Sequence, residues 1–133
     1  MIDSLNIVRI DPGWAWDDHL SLAPAVSAAG LIYVSGQLAL GSDGKLVGAD
    51  METQSRQIFR NIDEVLRAGG ASLSQVLRIT CYVVGFQDYA AYSAVRGEVF
   101  GDKPPASTTV GVESLLVRGA LLEVDAVALA TRD

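Results

Sequence analysis

The clearest periodicity in the chain lies between residues 50 and 70. Met51, Ile58, Phe59, Ile62, Val65 and Leu66 recur at helical spacing as one apolar stripe, and Arg56, Arg60, Asp63, Glu64 and Arg67 occupy the opposite side. This pattern predicts an amphipathic helix packed on a core. Asp50 precedes it as an N-cap, able to accept from the free amides of the first turn. Gly69-Gly70 ends it, and Ser72-Leu73-Ser74-Gln75 has capping-box spacing for one further turn. A second helix is predicted from a cap at Asp88 to near Phe100. Around these helices, runs rich in β-branched and aromatic residues read as strands: Leu5–Ile10, Leu22–Ala28, Leu31–Leu38, Leu77–Phe86, Ser107–Val112 and Leu121–Ala130, with a short one at Lys45–Val47. Asp11-Pro12-Gly13, Ala29-Gly30, Gly41–Gly44 and Gly101–Pro105 mark the turns. The order β-β-β-(β)-α-β-α-β-β predicts a single α+β domain over residues 1–133, with both helices on one face of the sheet.

Two strands depart from simple alternation. In Thr80–Val84 and Val124–Ala130 both faces are largely apolar, whereas an open sheet with one wet face alternates apolar with polar. The second face is therefore expected to be covered by another copy of the chain. Composition strengthens this expectation. Half of the 133 residues are hydrophobic and only 20% are charged, against about 25% in an average soluble domain.

Charge and rare residues narrow the chemistry. A net charge of −6 argues against a nucleic-acid partner, which requires a basic footprint. No apolar run approaches the roughly 18 residues that span a bilayer, so no membrane association is expected. Residues 1–9 lack the pattern of a secretory signal, and the single cysteine, Cys81, excludes an intrachain disulfide. Together these suit a cytoplasmic setting. One histidine, His19, cannot supply a paired-His metal site. The two lysines, Lys45 and Lys103, sit in turn-like sequence, a poor setting for a buried Schiff-base amine.

Several side chains remain open to two readings. Cys81, among apolar neighbours, reads as a packed hydrophobe; a reactive thiol needs an exposed, electropositive setting. Glu123 and Asp125 share a strand face with Leu121, Val127 and Leu129. Carboxylates in apolar surroundings gain proton affinity, which suits proton transfer; alternatively they lie near a strand end or meet a neighbouring arginine. Ser107-Thr108-Thr109 reflects either β-propensity or pocket-lining donors. Trp14, Trp16 and His19 read as a packed or surface loop, with a ligand wall as the alternative.

As a whole, residues 25–130 resemble the YjgF/RidA family of reactive-intermediate deaminases. The landmarks are Ala25-Val26 with Gly30-Leu31-Ile32-Tyr33-Val34-Ser35-Gly36-Gln37, then Arg67-Ala68-Gly69-Gly70, then Leu77-Arg78-Ile79-Thr80-Cys81-Tyr82-Val83. Asp88-Tyr89-Ala90-Ala91-Tyr92-Ser93, Pro105-Ala106 and Leu122-Glu123-Val124-Asp125-Ala126-Val127-Ala128 complete the set. The resemblance implies a chorismate-mutase-like α+β fold and a homotrimer with sheets packed inside and ligand pockets between subunits. It also implies hydrolysis of a small enamine or imine to a carbonyl compound and ammonia, without metal or cofactor.

Position by position, the resemblance gives Glu123 the acid/base role and places the Gly36 backbone in the pocket. Ser93 falls at a polar pocket position, Thr109 at one often held by cysteine, and Leu22 at that of a pocket tyrosine. Ser107 stands where active deaminases have an arginine that grips the substrate carboxylate by paired charged hydrogen bonds. A serine hydroxyl carries no charge. Arg96 and Arg118 are candidate replacements, with solvated surface charges as the other reading. Three functions follow: a divergent imine deaminase with altered substrate, a non-catalytic metabolite-binding trimer, and, least favoured by the acidic charge, a ribonuclease or translation inhibitor.

Overall fold

The computed structural model describes residues 5–17 and 20–130; His19 lies outside them. Helix α1 (Met51–Ala68) starts and stops where the pattern places it. Asp50 accepts hydrogen bonds from the Thr53 backbone N–H at 3.0 Å and from Thr53 Oγ1 at 2.7 Å, satisfying one of the unpaired first-turn amides. Helix α2 (Tyr89–Phe100) also has Asp88 at its N-cap, but there the carboxylate makes no cap hydrogen bond. The two aspartates have nearly the same φ, −112° and −113°; ψ is 160° at Asp50 and 16° at Asp88. The extended backbone that aims a capping side chain back at the helix is present only at Asp50.

Six strands form one sheet: β1 (Val8–Ile10), β2 (Ala25–Ala28), β3 (Leu31–Gln37), β4 (Val76–Val83), β5 (Ala106–Gly111) and β6 (Leu122–Leu129). Their spatial order is β1-β2-β3-β6-β4-β5. All neighbours are antiparallel except β4 and β5, which are parallel. A parallel pair needs a crossover, and α2 supplies it. The architecture is the expected α+β one, a mixed sheet with two helices. Several predicted strands are shorter than expected: Leu5–Ile10 is reduced to Val8–Ile10, and Leu77–Phe86 ends at Val83. Pro24 has no N–H for the ladder, and β2 begins at Ala25. Lys45–Val47 contributes only an isolated bridge between Leu40 and Leu46. The predicted turn after Ser72 is a short 3-10 helix, Leu73–Gln75, with its capping box formed.

The core lies between the helices and one sheet face. Ile58, Ile62 and Leu66 of α1 meet Ile32 and Val34 of β3, Ile79 and Cys81 of β4, and Leu122, Val124 and Ala128 of β6, all buried. Both helices belong to this layer. The opposite face has no cover among the described residues: Tyr33 is 50% exposed, Leu129 47% and Val110 41%. Strand β5, at the edge, is exposed at every position except Thr109.

Candidate functional site

A cavity of about 240 Å³ opens beside the end of β3. Its position follows from an irregularity in the sheet. Val34 pairs with Ala126, yet Gln37 pairs with Val124, so β3 carries one extra residue at Ser35-Gly36. A bulge bends its strand and re-aims local side chains. Ser35 Oγ donates to the Ala23 carbonyl at 2.6 Å, tying the bulge to the incoming chain. The Glu123 carboxylate lies directly over Gly36: a Cβ there would collide with Glu123 Oε2 and would sit 2.9 Å from Cδ. The glycine thus provides the space that the carboxylate fills.

Two further walls enclose Glu123. One is the N-terminal segment, with Trp14, Trp16 and Leu22. The tryptophan rings stack with centroids 5.8 Å apart, and Trp14 Nε1 donates to Glu64 Oε2 of α1 at 2.8 Å. Trp16 rests on the 41–44 turn, where Gly44 has φ +77° and an added Cβ would lie 2.8 Å from Trp16 Cβ. The other wall is Leu38 and Leu40 with Val117 and, at the rim, the 97% exposed Leu116.

Both loops of that second wall are held by amides from α1. Gln54 is fully buried; its Nε2 donates to the Gly48 and Gly119 carbonyls, both at 3.1 Å, and its Oε1 accepts from the Leu121 N–H at 2.8 Å. Asn61 Nδ2 donates to the Leu38 and Leu40 carbonyls at 3.1 and 2.9 Å. Sequence reasoning passed over both residues. Their signal was present: each is a polar side chain at helical spacing from Ile58, within the apolar stripe. Such an amide must find buried partners.

Glu123 is half-buried, and its proton affinity is raised above the ordinary glutamate value, first by burial and second by the negative charge of Asp125. Tyr82 OH donates to Asp125 Oδ2 at 3.3 Å on the same sheet face. A carboxyl group so placed can give and take protons near neutral pH more readily than a solvated one. Cys81 has the opposite character: buried, with its thiol pushed up to about 11 chiefly by burial. It is the packed hydrophobe expected from sequence.

The sequence-derived residues fall into two groups. Glu123, Gly36 and Leu22 meet in the cavity. Ser93, Arg96 and Thr109 meet elsewhere, around Tyr89. Arg96 Nη1 donates to Tyr89 OH at 3.1 Å and Nη2 to Ser93 Oγ at 3.2 Å, and its guanidinium lies 5.3 Å from the Tyr92 ring centroid. Tyr89 OH and Thr109 Oγ1 are hydrogen-bonded at 2.8 Å. Ser107 is exposed on β5, in register with Ile79, and Thr109 is in register with Cys81, both on the helix side. Glu123 pairs with Tyr82 on the uncovered side. Within one chain, then, Ser107 and Thr109 are on the sheet face opposite to Glu123. Arg118 is exposed and is not among the cavity-lining residues.

Comparison with known proteins agrees with this architecture. Residues 18–130 match the family model described as Endoribonuclease L-PSP. A RutC family protein of Pyrococcus horikoshii is 34% identical over 105 residues, 78% of this chain and 82% of its own length. The mitochondrial protein mmf2 of Schizosaccharomyces pombe is 36% identical over 106 residues, 78% of this chain and 83% of its own. A solved structure of a Rid-family protein from Yersinia pestis superposes with a TM-score of 0.87 at 28% identity, over 93% of this chain and 99% of that one. The chain, with its two-helix mixed sheet, thus belongs to the Endoribonuclease L-PSP family, the YjgF/RidA family that the sequence motifs resemble.

Proposed function

We propose that this protein hydrolyses a small reactive enamine or imine to a carbonyl compound and ammonia. The observation that carries the reading is the Glu123 carboxylate, half-buried over Gly36 in a mostly apolar cavity, with its proton affinity raised. An enamine first tautomerises to its imine. Water then adds to the carbon of the protonated imine while Glu123 takes the proton that water loses. Returning it to nitrogen makes ammonia the leaving group. The C–N bond breaks, the remaining hydroxyl proton passes back to Glu123, and a carbonyl is left. Ammonia carries the last proton away. Positioning and one tuned acid/base suffice for these steps.

The site belongs, in this reading, to a homotrimer. Glu123 on the uncovered face and Ser107 and Thr109 on the exposed edge strand would approach each other across two copies. A cytoplasmic setting is part of the proposal, although mmf2 is named mitochondrial. The family description names a ribonuclease, but the chain's charge of −6 disfavours RNA.

The test uses imines generated in situ by amine and amino-acid oxidases. Wild type should release ammonia faster than spontaneous hydrolysis, and Glu123→Gln should lose about 10²–10⁴-fold of that acceleration. No acceleration with any imine would favour a second reading, a metabolite-binding trimer without turnover. That reading draws on Ser107, which supplies no charge where related deaminases hold a carboxylate. Calorimetry showing tight binding without consumption would support it.

A further inference from the structure

The arginines differ in what meets their charge. Among the described residues, Arg56 and Arg96 are partly buried and the other arginines are exposed. Arg56 has two carboxylates, Glu52 at 2.9 Å and Glu98 at 2.8 Å. Arg96 pairs with no carboxylate among the described residues. Neutral groups hold it instead. Tyr89 OH and Ser93 Oγ accept its N–H groups at 3.1 and 3.2 Å, and the Tyr92 ring lies against it. Withdrawing a guanidinium from water costs free energy that neutral acceptors and a ring offset only in part. The fork is nevertheless fixed in place, and its remaining N–H groups suit a planar anion.

The hydrogen-bond directions extend this charge to the edge of the sheet. A guanidinium only donates, so the Tyr89 oxygen accepts from Arg96. Tyr89 can then pass its own hydrogen to Thr109 Oγ1, 2.8 Å away, which leaves the Thr109 hydroxyl hydrogen for a ligand. Ser107, two residues earlier on the exposed β5, shares the strand face of Thr109. Arg96, Ser93, Tyr89, Thr109 and Ser107 thus form one polar strip along α2 and the edge strand.

We propose that Arg96 is the specificity-determining residue of the shared site, recognising a ligand carboxylate with the Thr109 hydroxyl beside it. The charge that Ser107 lacks is supplied from α2. The imine hydrolysed is then one that carries a carboxylate, while Glu123 of another copy handles the protons. This substrate assignment rests on the imine-hydrolase and trimer readings, but the anion preference of Arg96 is measured apart from turnover.

A matched pair of imines isolates the carboxylate. A flavin amine oxidase turns phenethylamine into the imine of phenylacetaldehyde. An amino-acid oxidase turns phenylalanine into the same side chain with a carboxylate added. The full-length protein should hydrolyse the imino acid with kcat/KM at least about tenfold higher. Arg96→Gln should cut that ratio at least about tenfold, and Arg96→Lys, which keeps the charge without the fork, should restore part of it. A wild type that does not favour the imino acid, or a ratio that Arg96→Gln leaves unchanged, overturns the proposal. If wild type accelerates neither imine, the hydrolase reading fails, and the preference is read by calorimetry with phenylpyruvate. Wild type should then bind phenylpyruvate at least about tenfold more tightly than Arg96→Gln does, and more tightly than it binds inorganic phosphate. Equal affinities, or no binding, overturn the proposal. Both variants should keep the wild-type mass in light scattering; a smaller mass assigns Arg96 to a carboxylate of a neighbouring copy and overturns it as well.

Discussion

At the residue scale, the site depends on what Gly36 lacks. The Glu123 carboxylate occupies the volume that a side chain there would need. Gly36→Ala should displace Glu123, lowering ammonia release at least about tenfold and stability by about 1–3 kcal/mol, as overpacking does; steady-state assays and urea unfolding measure the two. Glu123 also carries a pH signature. Its folded-state proton affinity lies above the ordinary value of 4.5, with burial as the main cause. The stability linked to its protonation is fully present below the unfolded value and is lost as pH rises through the folded one. Glu123→Gln cannot ionise, so its melting temperature should gain on wild type as pH rises above the ordinary 4.5. A difference that is flat or shrinks as pH rises would contradict this environment. Glu123 and Asp125 were legible as a pair from alternation alone. The space above Gly36 was not, because it is created by a bulge in a strand that reads as regular.

At the element scale, α1 has two tasks. Its apolar stripe builds the core, and Gln54 and Asn61 within that stripe hold the loops that wall the cavity. Gln54→Ala would leave the Gly48 and Gly119 carbonyls and the Leu121 N–H without their partner and would open a void. The expected loss is about 3 kcal/mol by chemical denaturation. Gln54→Leu fills the volume but restores none of the bonds, so it should recover only part of that loss. The ends of α1 were legible because caps are local chemistry. The partners of Gln54 were not, since Gly119 and Leu121 are 65 and 67 residues away. Local signals also fall short at α2, where aspartate is in the N-cap position with a backbone that does not aim its side chain at the helix.

At the scale of the whole molecule, the uncovered sheet face and exposed β5 account for the low charged fraction. In the proposed trimer these apolar positions form the interface between copies. Light scattering should give three times the chain mass, independent of dilution over the working range. Tyr33→Glu, placing a charge at the middle of the open face, should dissociate the assembly and abolish turnover while the chain stays folded. A wild-type monomer at every concentration would remove the support for a shared site.

The sequence by itself determined the two helices, the six strands that form the sheet and the caps and turns of α1, because these depend on spacings of a few residues. It also displayed the family motifs and the serine at position 107. Only the tertiary structure decided that β6 inserts between β3 and β4, that β4 and β5 run parallel, and that a bulge at Ser35-Gly36 makes room for Glu123. It alone joined Trp14 and Trp16 to the Glu123 cavity and put Ser107 on the other side of the sheet. Alternation tells a strand which face to bury, but not which strand lies beside it. That choice is made by contacts between residues far apart in the chain, and the cavity is assembled from such contacts.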